Sequence, residues 1–363
     1  MIIAGGGTGG HLFPGLAIAE EFRKRDSNAE IVFVGTEHGI EAKIIPREGY
    51  PIKYLRSQGI VGKSFAGKVK GIAGLLLSFF DAQRILKTVR PDIVIGVGGY
   101  ASGAIVMIAD LKSIPTMIHE QNSVPGLTNK ILGRVARRIC VTYHESLTSF
   151  PMNKTFLTGN PIRPKILKGD REAACRLFSL KKDLFTVFIF GGSSGAQAIN
   201  RTMVDALNHL NDLKDNIQFL HQTGDRDFEN IRDAYRKTGV KGTVAPFIYQ
   251  MAEAYAAADV VVSRAGATTL AELTALGKPA ILVPYPYAAG RHQEFNALKL
   301  REMGAAMVML ENDLKGETLA TAIREIYQNA GLQAEMKSAS KGLGRPDACS
   351  KIVDIAMSLV KNS

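Results

Sequence analysis

With 363 residues, 46% of them apolar, the chain is long enough for two domains with a core each and too apolar to be disordered. Its three cysteines (Cys140, Cys175, Cys349) are far apart and form no CxxC pair, which argues against a disulfide framework or a structural zinc site and for a reducing compartment. The net charge of +11 sits mostly in the first half, with 20 basic against 12 acidic residues up to Arg163 and 25 against 22 after it.

In chain order, Ile2–Ala4 reads as a short apolar strand entered directly from Met1, so no signal peptide is expected. It runs into Gly5–Gly10, five glycines in six residues, and then into an amphipathic helix with His11 at the join. Gly5-x-Gly7-x-x-Gly10 formally matches the dinucleotide fingerprint. The acid which that fingerprint wants at the end of the second strand is missing, because IVFV (31–34) continues as Gly35-Thr36. A P-loop is excluded, since His11 stands where Lys-Ser/Thr is needed. Glycines let a backbone approach a ligand, and helix-start N–H groups attract anions, so a ligand loop is favoured over a bare turn. His11 reads equally as a polar residue at a helix start and as a general base whose intrinsic pKa lies near working pH.

Between Lys53 and Arg90 stand eight basic residues and one acid, Asp81. Within 63–90, Leu75, Leu76, Phe79 and Phe80 recur at helical spacing, with Lys63, Lys68 and Lys70 before them and Arg84, Lys87 and Arg90 after. Lys130, Arg134, Arg137 and Arg138 add four cations. Two readings stand level: a core helix over a sheet, and an apolar patch ringed by cations on an anionic bilayer. The longest apolar run, 71–80, is about half of the roughly 20 residues that span a membrane.

Further strands are expected at 92–97, 115–119, 138–143, 186–190, 217–220, 259–263 and 280–285, with helical patterns between many of them, which predicts parallel sheets covered by helices. VFIFGGSSGAQAINRTMVDAL (187–207) repeats the opening layout, so each half is a Rossmann-like domain with its own glycine loop, joined near TGNPIRPKI (158–166). The expected domains are 1–163 and 164–344, with a C-terminal helix from about 345 to 363 packing back on the first. Asp225-Arg226-Asp227 has the spacing of a metal-holding DxD, but it follows a strand and Gly224 and opens a helix, where Asp is favoured as a cap. No metal is expected elsewhere. In SRAGATTLAE (263–272), Gly266 makes the turn, Thr268 or Thr269 caps a helix, and Glu272 lies one turn on, placed to accept two ribose hydroxyls from a nucleotide on the helix start.

Taken in order, GGGTGGHLFPGLAIA (5–19), GVGGYASG (96–103), IHEQNSVPGLTNK (118–130), GNPIR (159–163), GGSSGA (191–196), SRAGATTLAE (263–272) and HQEFNA (292–297) resemble the bacterial peptidoglycan N-acetylglucosaminyltransferases, membrane-associated enzymes that make lipid II from lipid I. The resemblance covers nearly the whole chain. It implies the α/β GT-B architecture, two Rossmann-like domains facing across a cleft. It implies inverting transfer of GlcNAc from UDP-GlcNAc to the 4-hydroxyl of MurNAc in undecaprenyl-diphospho-MurNAc-pentapeptide, at the cytoplasmic face of the plasma membrane. It assigns Thr8, Gly9, Gly10, Arg163 and Ser193 to the donor, and His11, Asn122 and Glu120 to catalysis. Asn122 also meets the donor or acceptor sugar, and Tyr100 joins His11 on the acceptor side. Ile248 meets uracil through its backbone, Ala267, Thr268, Thr269, Leu270 and Ala271 form the phosphate helix start, Glu272 takes the ribose, and Gln293, with Asn296 beside it, takes the GlcNAc hydroxyls.

Ser194 and Gly290-Arg291 depart from the pattern, which commonly has a longer polar residue and a less basic pair there. The resemblance implies no cofactor and no nucleic acid. UDP-GlcNAc, lipid I and an anionic membrane surface are the implied partners, with cell-wall synthesis proteins as candidates. The rivals are a UDP-GlcNAc epimerase, a diacylglycerol glycosyltransferase and a nucleotide-sugar-binding module without catalysis.

Overall fold

The computed structural model describes residues 1–56, 65–193 and 195–361; the side chains of 65–73, 75, 76 and 361 lie outside the description. Two compact units divide the chain, Met1–Arg163 with Pro346–Ser363, and Pro164–Arg345.

The first unit runs β1 (Ile2–Ala4), α1 (Gly9–Arg25), β2 (Val32–Gly35), α2 (Glu41–Arg47), β3 (Ile52–Tyr54), α3 (Phe65–Val89), β4 (Val94–Gly96), α4 (Tyr100–Leu111), β5 (Thr116–Glu120), α5 (Leu127–Val135), β6 (Arg138–Val141) and β7 (Thr155–Leu157). The second runs α6 (Arg171–Leu177), β8 (Phe185–Phe190), α7 (Gln197–His209), β9 (Ile217–Gln222), α8 (Phe228–Thr238), β10 (Gly242–Ala245), α9 (Met251–Ala257), β11 (Val260–Ser263), α10 (Ala267–Leu276), β12 (Ala280–Leu282), α11 (His292–Glu302), β13 (Ala306–Val308), α12 (Gly316–Gln328) and α13 (Ala330–Leu343). The last helix, α14 (Ala348–Lys361), returns to the first unit.

Both sheets are parallel, in the orders β3-β2-β1-β4-β5-β6-β7 and β10-β9-β8-β11-β12-β13. Successive side chains of a strand point to opposite faces. Ile2 and Ala4 of β1 therefore enter one apolar cluster and Ile3 the other, and in β8 Val187 and Ile189 part from Phe188 and Phe190 in the same way. Each sheet is thus buried on both faces under helices, a three-layer α/β sandwich. Chain order reverses beside β1 in the first sheet and beside β8 in the second. Such switch points open a crevice at the carboxyl ends of the strands. The glycine loops 5–10 and 96–99 lie at the first, and the loops 191–196 and 263–267 at the second.

The strands the sequence does not announce are β3, β7, β10 and β13, the outer strand at each edge of each sheet. They are three or four residues long and largely half-exposed or exposed. An edge strand covers less core, so no apolar run is required there.

Helix α14 is held by its apolar stripe. Ile352, Val353, Ala356 and Leu359 are buried in the same cluster as Leu16, Ala19 and Phe22 of α1. At the rim, Arg25 donates to Asp354 and, at 2.6 Å, to Ser350 Oγ. The ion pair is largely solvent-exposed on the Asp354 side, where such pairs contribute about 0–1 kcal/mol, whereas each fully buried aliphatic contributes about 1.5–3 kcal/mol. Ile352→Ala is therefore expected to lower stability by about 2–5 kcal/mol and Asp354→Ala by about 1 kcal/mol or less. Urea denaturation of the two variants side by side checks this ranking.

Candidate active site

At the first switch point the glycine loop rests on a buried carboxylate. Glu41, 1% exposed, accepts from Gly7 N–H at 2.8 Å, and from Thr36 N–H and Thr36 Oγ1, both at 2.9 Å. A Cβ on Gly6, Gly35 or Gly39 would stand 2.3, 2.5 or 2.0 Å from the Glu41 side chain, so a side chain at any of the three would push the carboxylate out of this position. The sequence shows no acid at the end of the second strand. The structure supplies one six residues later, turned under the loop instead of out toward a ribose. No motif in the sequence marks it.

Thr8 is the N-cap residue of α1, but its side chain makes no cap hydrogen bond, and the first turn carries no acid. Thr8 and Gly10 are exposed and Gly9 and His11 half-buried, so the helix start faces solvent. The imidazole of His11 lies against Gly98, where a Cβ would be 2.6 Å from Nδ1. Gly98 (φ 97°) and Gly99 (φ 80°) turn the chain left-handed there, and the hydroxyl of Ser102 pins the turn by bonding Ala4 O at 2.6 Å and Gly98 O at 2.8 Å. Tyr100 begins α4 and is 48% exposed.

The segment after β5 is built from inside. Glu120, 1% exposed, accepts on Oε1 from Asn122 N–H at 2.9 Å and Asn122 Nδ2 at 3.2 Å. On Oε2 it accepts from Gly126 N–H at 3.1 Å and Asn129 Nδ2 at 2.9 Å. With four donors on one buried carboxylate, Glu120 holds the 121–126 loop and presents half-buried Asn122. The side chain that the resemblance assigns to catalysis is thus itself turned inward, behind this loop. Gln121 is equally buried and contacts His11 Nδ1 through Oε1 at 3.1 Å. Arg163, also expected at the donor, is 6% exposed; it pairs with Glu48 Oε1 at 3.2 Å and lies over the Phe13 ring.

In the second unit, Gln222 at the end of β9 joins two loops. Its Nε2 donates to Gly192 O at 2.9 Å, and its Oε1 accepts from Ile248 N–H at 2.8 Å. Ile248 is buried, and its N–H is committed inside the protein; Ser193 is exposed on the loop of Gly192. Ser194 lies outside the described residues. Gly266, not a threonine, caps α10, with Ala267, Thr268 and Thr269 in its first turn. The cap falls there because Gly266 has extended backbone (φ −67°, ψ 141°) while the threonines are already helical. Leu270 is buried in the core and Ala271 half-buried. Glu272, 8% exposed, is oriented by the Tyr255 hydroxyl, which donates to Oε2 at 2.8 Å. Gln293 Oε1 accepts from Tyr285 N–H at 3.0 Å, while buried Asn296 has neither amide atom paired. Asp227 stands at the N-cap of α8 but does not cap it; its Oδ2 accepts from Asn200 Nδ2 at 2.8 Å instead. Among the described residues no group of three His, Cys, Asp or Glu side chains is arranged to hold a metal.

The surface expected to meet a bilayer divides. Phe80 is 68% exposed and Arg84 is exposed, but Phe79 turns inward against the core cluster of the first sheet. Lys68, Lys70, Leu75 and Leu76 lie on α3 with side chains outside the description, and Lys63 lies outside the described residues. Among the described residues no helix is long and apolar enough to cross a membrane.

The glycosyltransferase family 28 N-terminal domain matches residues 1–141 and the C-terminal domain of the same family residues 186–352. A Thermodesulfovibrio yellowstonii protein named UDP-N-acetylglucosamine–N-acetylmuramyl-(pentapeptide) pyrophosphoryl-undecaprenol N-acetylglucosamine transferase is 50% identical over 99% of both chains. The chain belongs to this family of transferases. Among solved structures, the family member MurG of Acinetobacter baumannii matches with a TM-score of 0.73 and 30% identity over 98% of this chain and 99% of that one. The family is the one the seven motifs resemble, and the two parallel-sheet domains are those of its GT-B fold. A UDP-GlcNAc 2-epimerase from Neisseria meningitidis shares that fold at 11% identity, with a TM-score of 0.68 over 98% of this chain and 99% of that one.

Two buried histidines set an acid limit on this scaffold. Burial lowers His119 to about 4 and His221 to about 3, from an ordinary 6.5. Below pH 6.5 the unfolded chain binds protons that the folded chain refuses, so stability rises with pH across this window and falls on acidification. A loss of thermal stability between pH 6.5 and about 4, beginning above the range where carboxylates titrate, is the expected result. A scanning-calorimetry profile flat through that window would contradict it.

Proposed function

We propose that this chain transfers GlcNAc from UDP-GlcNAc to the 4-hydroxyl of the muramyl sugar of undecaprenyl-diphospho-MurNAc-pentapeptide, forming lipid II with inversion at the anomeric carbon. The observation that carries the reading is 50% identity, end to end, to a transferase named for this donor and this acceptor. The second unit binds UDP-GlcNAc and the first receives the acceptor. In one displacement the acceptor O4 attacks C1, the C1–O bond to UDP breaks, and the hydroxyl proton passes to His11. Asn122, presented by Glu120, orients a sugar hydroxyl, and Tyr100 lies on the acceptor side.

The ten-residue helix α10 starts without an acid in its first turn, which suits a diphosphate leaving group. Ala267, Thr268 and Thr269 meet the phosphates, Glu272, set by Tyr255, takes the ribose, and Gln293 and Asn296 take the GlcNAc hydroxyls. Ser193 of the second glycine loop contacts the donor, and Ile248, its N–H on Gln222, meets uracil through its carbonyl. No cofactor or metal takes part.

A base of this kind contributes about 10²–10⁴-fold in rate. His11→Ala should lower turnover by that factor while UDP-GlcNAc binding stays within a few-fold, and EDTA should leave the rate of label transfer from UDP-GlcNAc into a lipid I analogue unchanged. UDP release or epimerisation without acceptor would instead support an epimerase.

The same reading places the first unit on the anionic cytoplasmic face of the membrane. Exposed Phe80, Leu77, Leu111 and Leu127 on α3, α4 and α5 are accompanied by exposed Arg84, Lys112, Lys130 and Arg134, the mixture that suits acyl chains and acidic headgroups. Phe80→Glu should weaken binding to phosphatidylglycerol-containing vesicles several-fold and leave the rate on a soluble lipid I analogue unchanged; unaltered vesicle binding would remove this surface from the account.

A further inference from the structure

Behind His11 lies a chain of polar groups sealed from water, and its hydrogen-bond polarity can be read from one end. Gln121 is 1% exposed and His119 fully buried. One terminal atom of the Gln121 amide lies 2.9 Å from Val97 O and 3.3 Å from His119 O. Carbonyl oxygens only accept, so this atom is the NH₂ group; the flipped amide would set an oxygen against two oxygens.

His119 agrees independently. Its Nε2 is 3.1 Å from Gly159 O, so Nε2 carries the proton, and Nδ1 of the neutral ring accepts from Gln121 Nε2 at 3.1 Å. The remaining atom, Gln121 Oε1, can only accept, and it faces His11 Nδ1 at 3.1 Å. The proton of neutral His11 is therefore on Nδ1 and the lone pair on Nε2.

We propose that Gln121, held by Val97 and His119, is a positioning residue that fixes the tautomer of His11, leaving Nε2 as the atom that takes the acceptor proton. The inference rests on the reading of His11 as the base. When Nε2 gains a proton, the Nδ1–H to Oε1 bond is kept and becomes charge-assisted, so no side chain has to turn during the reaction. The absent Cβ of Gly98 gives the ring its seat, and the amide supplies its polarity. Gln121 performs the orienting task that a carboxylate performs in many base–orienter pairs, with a neutral amide in its place.

The first test is long-range ¹H–¹⁵N NMR of the [¹⁵N]histidine-labelled full chain at neutral pH, with His11 assigned from the His11→Ala spectrum. His11 should show a protonated Nδ1 and an unprotonated Nε2. The opposite pattern, or an even mixture, overturns the proposal without any variant having to fold. The second test is Gln121→Met, close in shape but without an acceptor of comparable strength. Its kcat should fall about tenfold, roughly 1.4 kcal/mol, with KM for UDP-GlcNAc unchanged, and His11 should become a tautomer mixture. The double variant His11→Ala/Gln121→Met should be no slower than His11→Ala alone. Additive losses would mean that Gln121 acts elsewhere. Should His11→Ala turn over normally, the base assignment fails, while the NMR result still decides the tautomer.

Discussion

The carboxylate of Glu41 under the first glycine loop is the constraint on which the first half of the site depends. A charged group buried to 1% exposure persists only when its oxygens are satisfied, and here backbone and hydroxyl donors from two loops converge on it. Hydrogen bonds to a charged acceptor contribute about 1.5–3 kcal/mol each, enough to hold a glycine-rich segment that would otherwise sample many conformations. The bond from Gly7 N–H ties the loop to this buried group. The start of α1, and His11 with it, continues from that loop.

The same device recurs across the sheet. Glu120 gathers four donors and fixes the segment carrying Asn122, and Gln121 links Val97, His119 and His11. None of these buried polar groups faces the solvent, yet each decides where a group nearer the surface sits. A polar network of this kind is favourable only when complete, because an orphaned member keeps its full desolvation penalty. Damage to it should therefore cost stability as well as position.

Much of this was legible in the sequence, and the limits have physical causes. Central strands are buried on both faces and read as apolar runs, so β2, β5, β8 and β11 were visible; the edge strands β3, β7, β10 and β13 cover less core and leave no such run. Seven motifs in order announced the family. They did not announce which way a side chain turns. Glu120 and Arg163 belong to motifs that imply a place at the site, yet both side chains are buried and bonded within the first unit, with Arg163 Nε left unpaired. Glu41 belongs to no quoted motif, and only the fold shows that it reaches Gly7. An acid near a glycine loop reads alike in sequence whether it points at a ligand or at the loop itself.

The internal repeat acquires a meaning here that its glycine pattern does not carry. Both halves place a glycine loop at a switch point, and the shared fold would allow either to bind phosphate. In the first half, Gly7 N–H points at Glu41, so the protein already supplies the anion and a second one would meet its charge. In the second half, the described bonds of the corresponding loop run to neutral groups, with Gly192 O on Gln222, and Gly195 packs so closely under Thr223 O that a Cβ would come within 2.1 Å. One copy carries its negative charge internally, while the described bonds of the other loop run to neutral groups. This asymmetry, and not the glycine count, is what supports the proposal that the nucleotide goes to the second half.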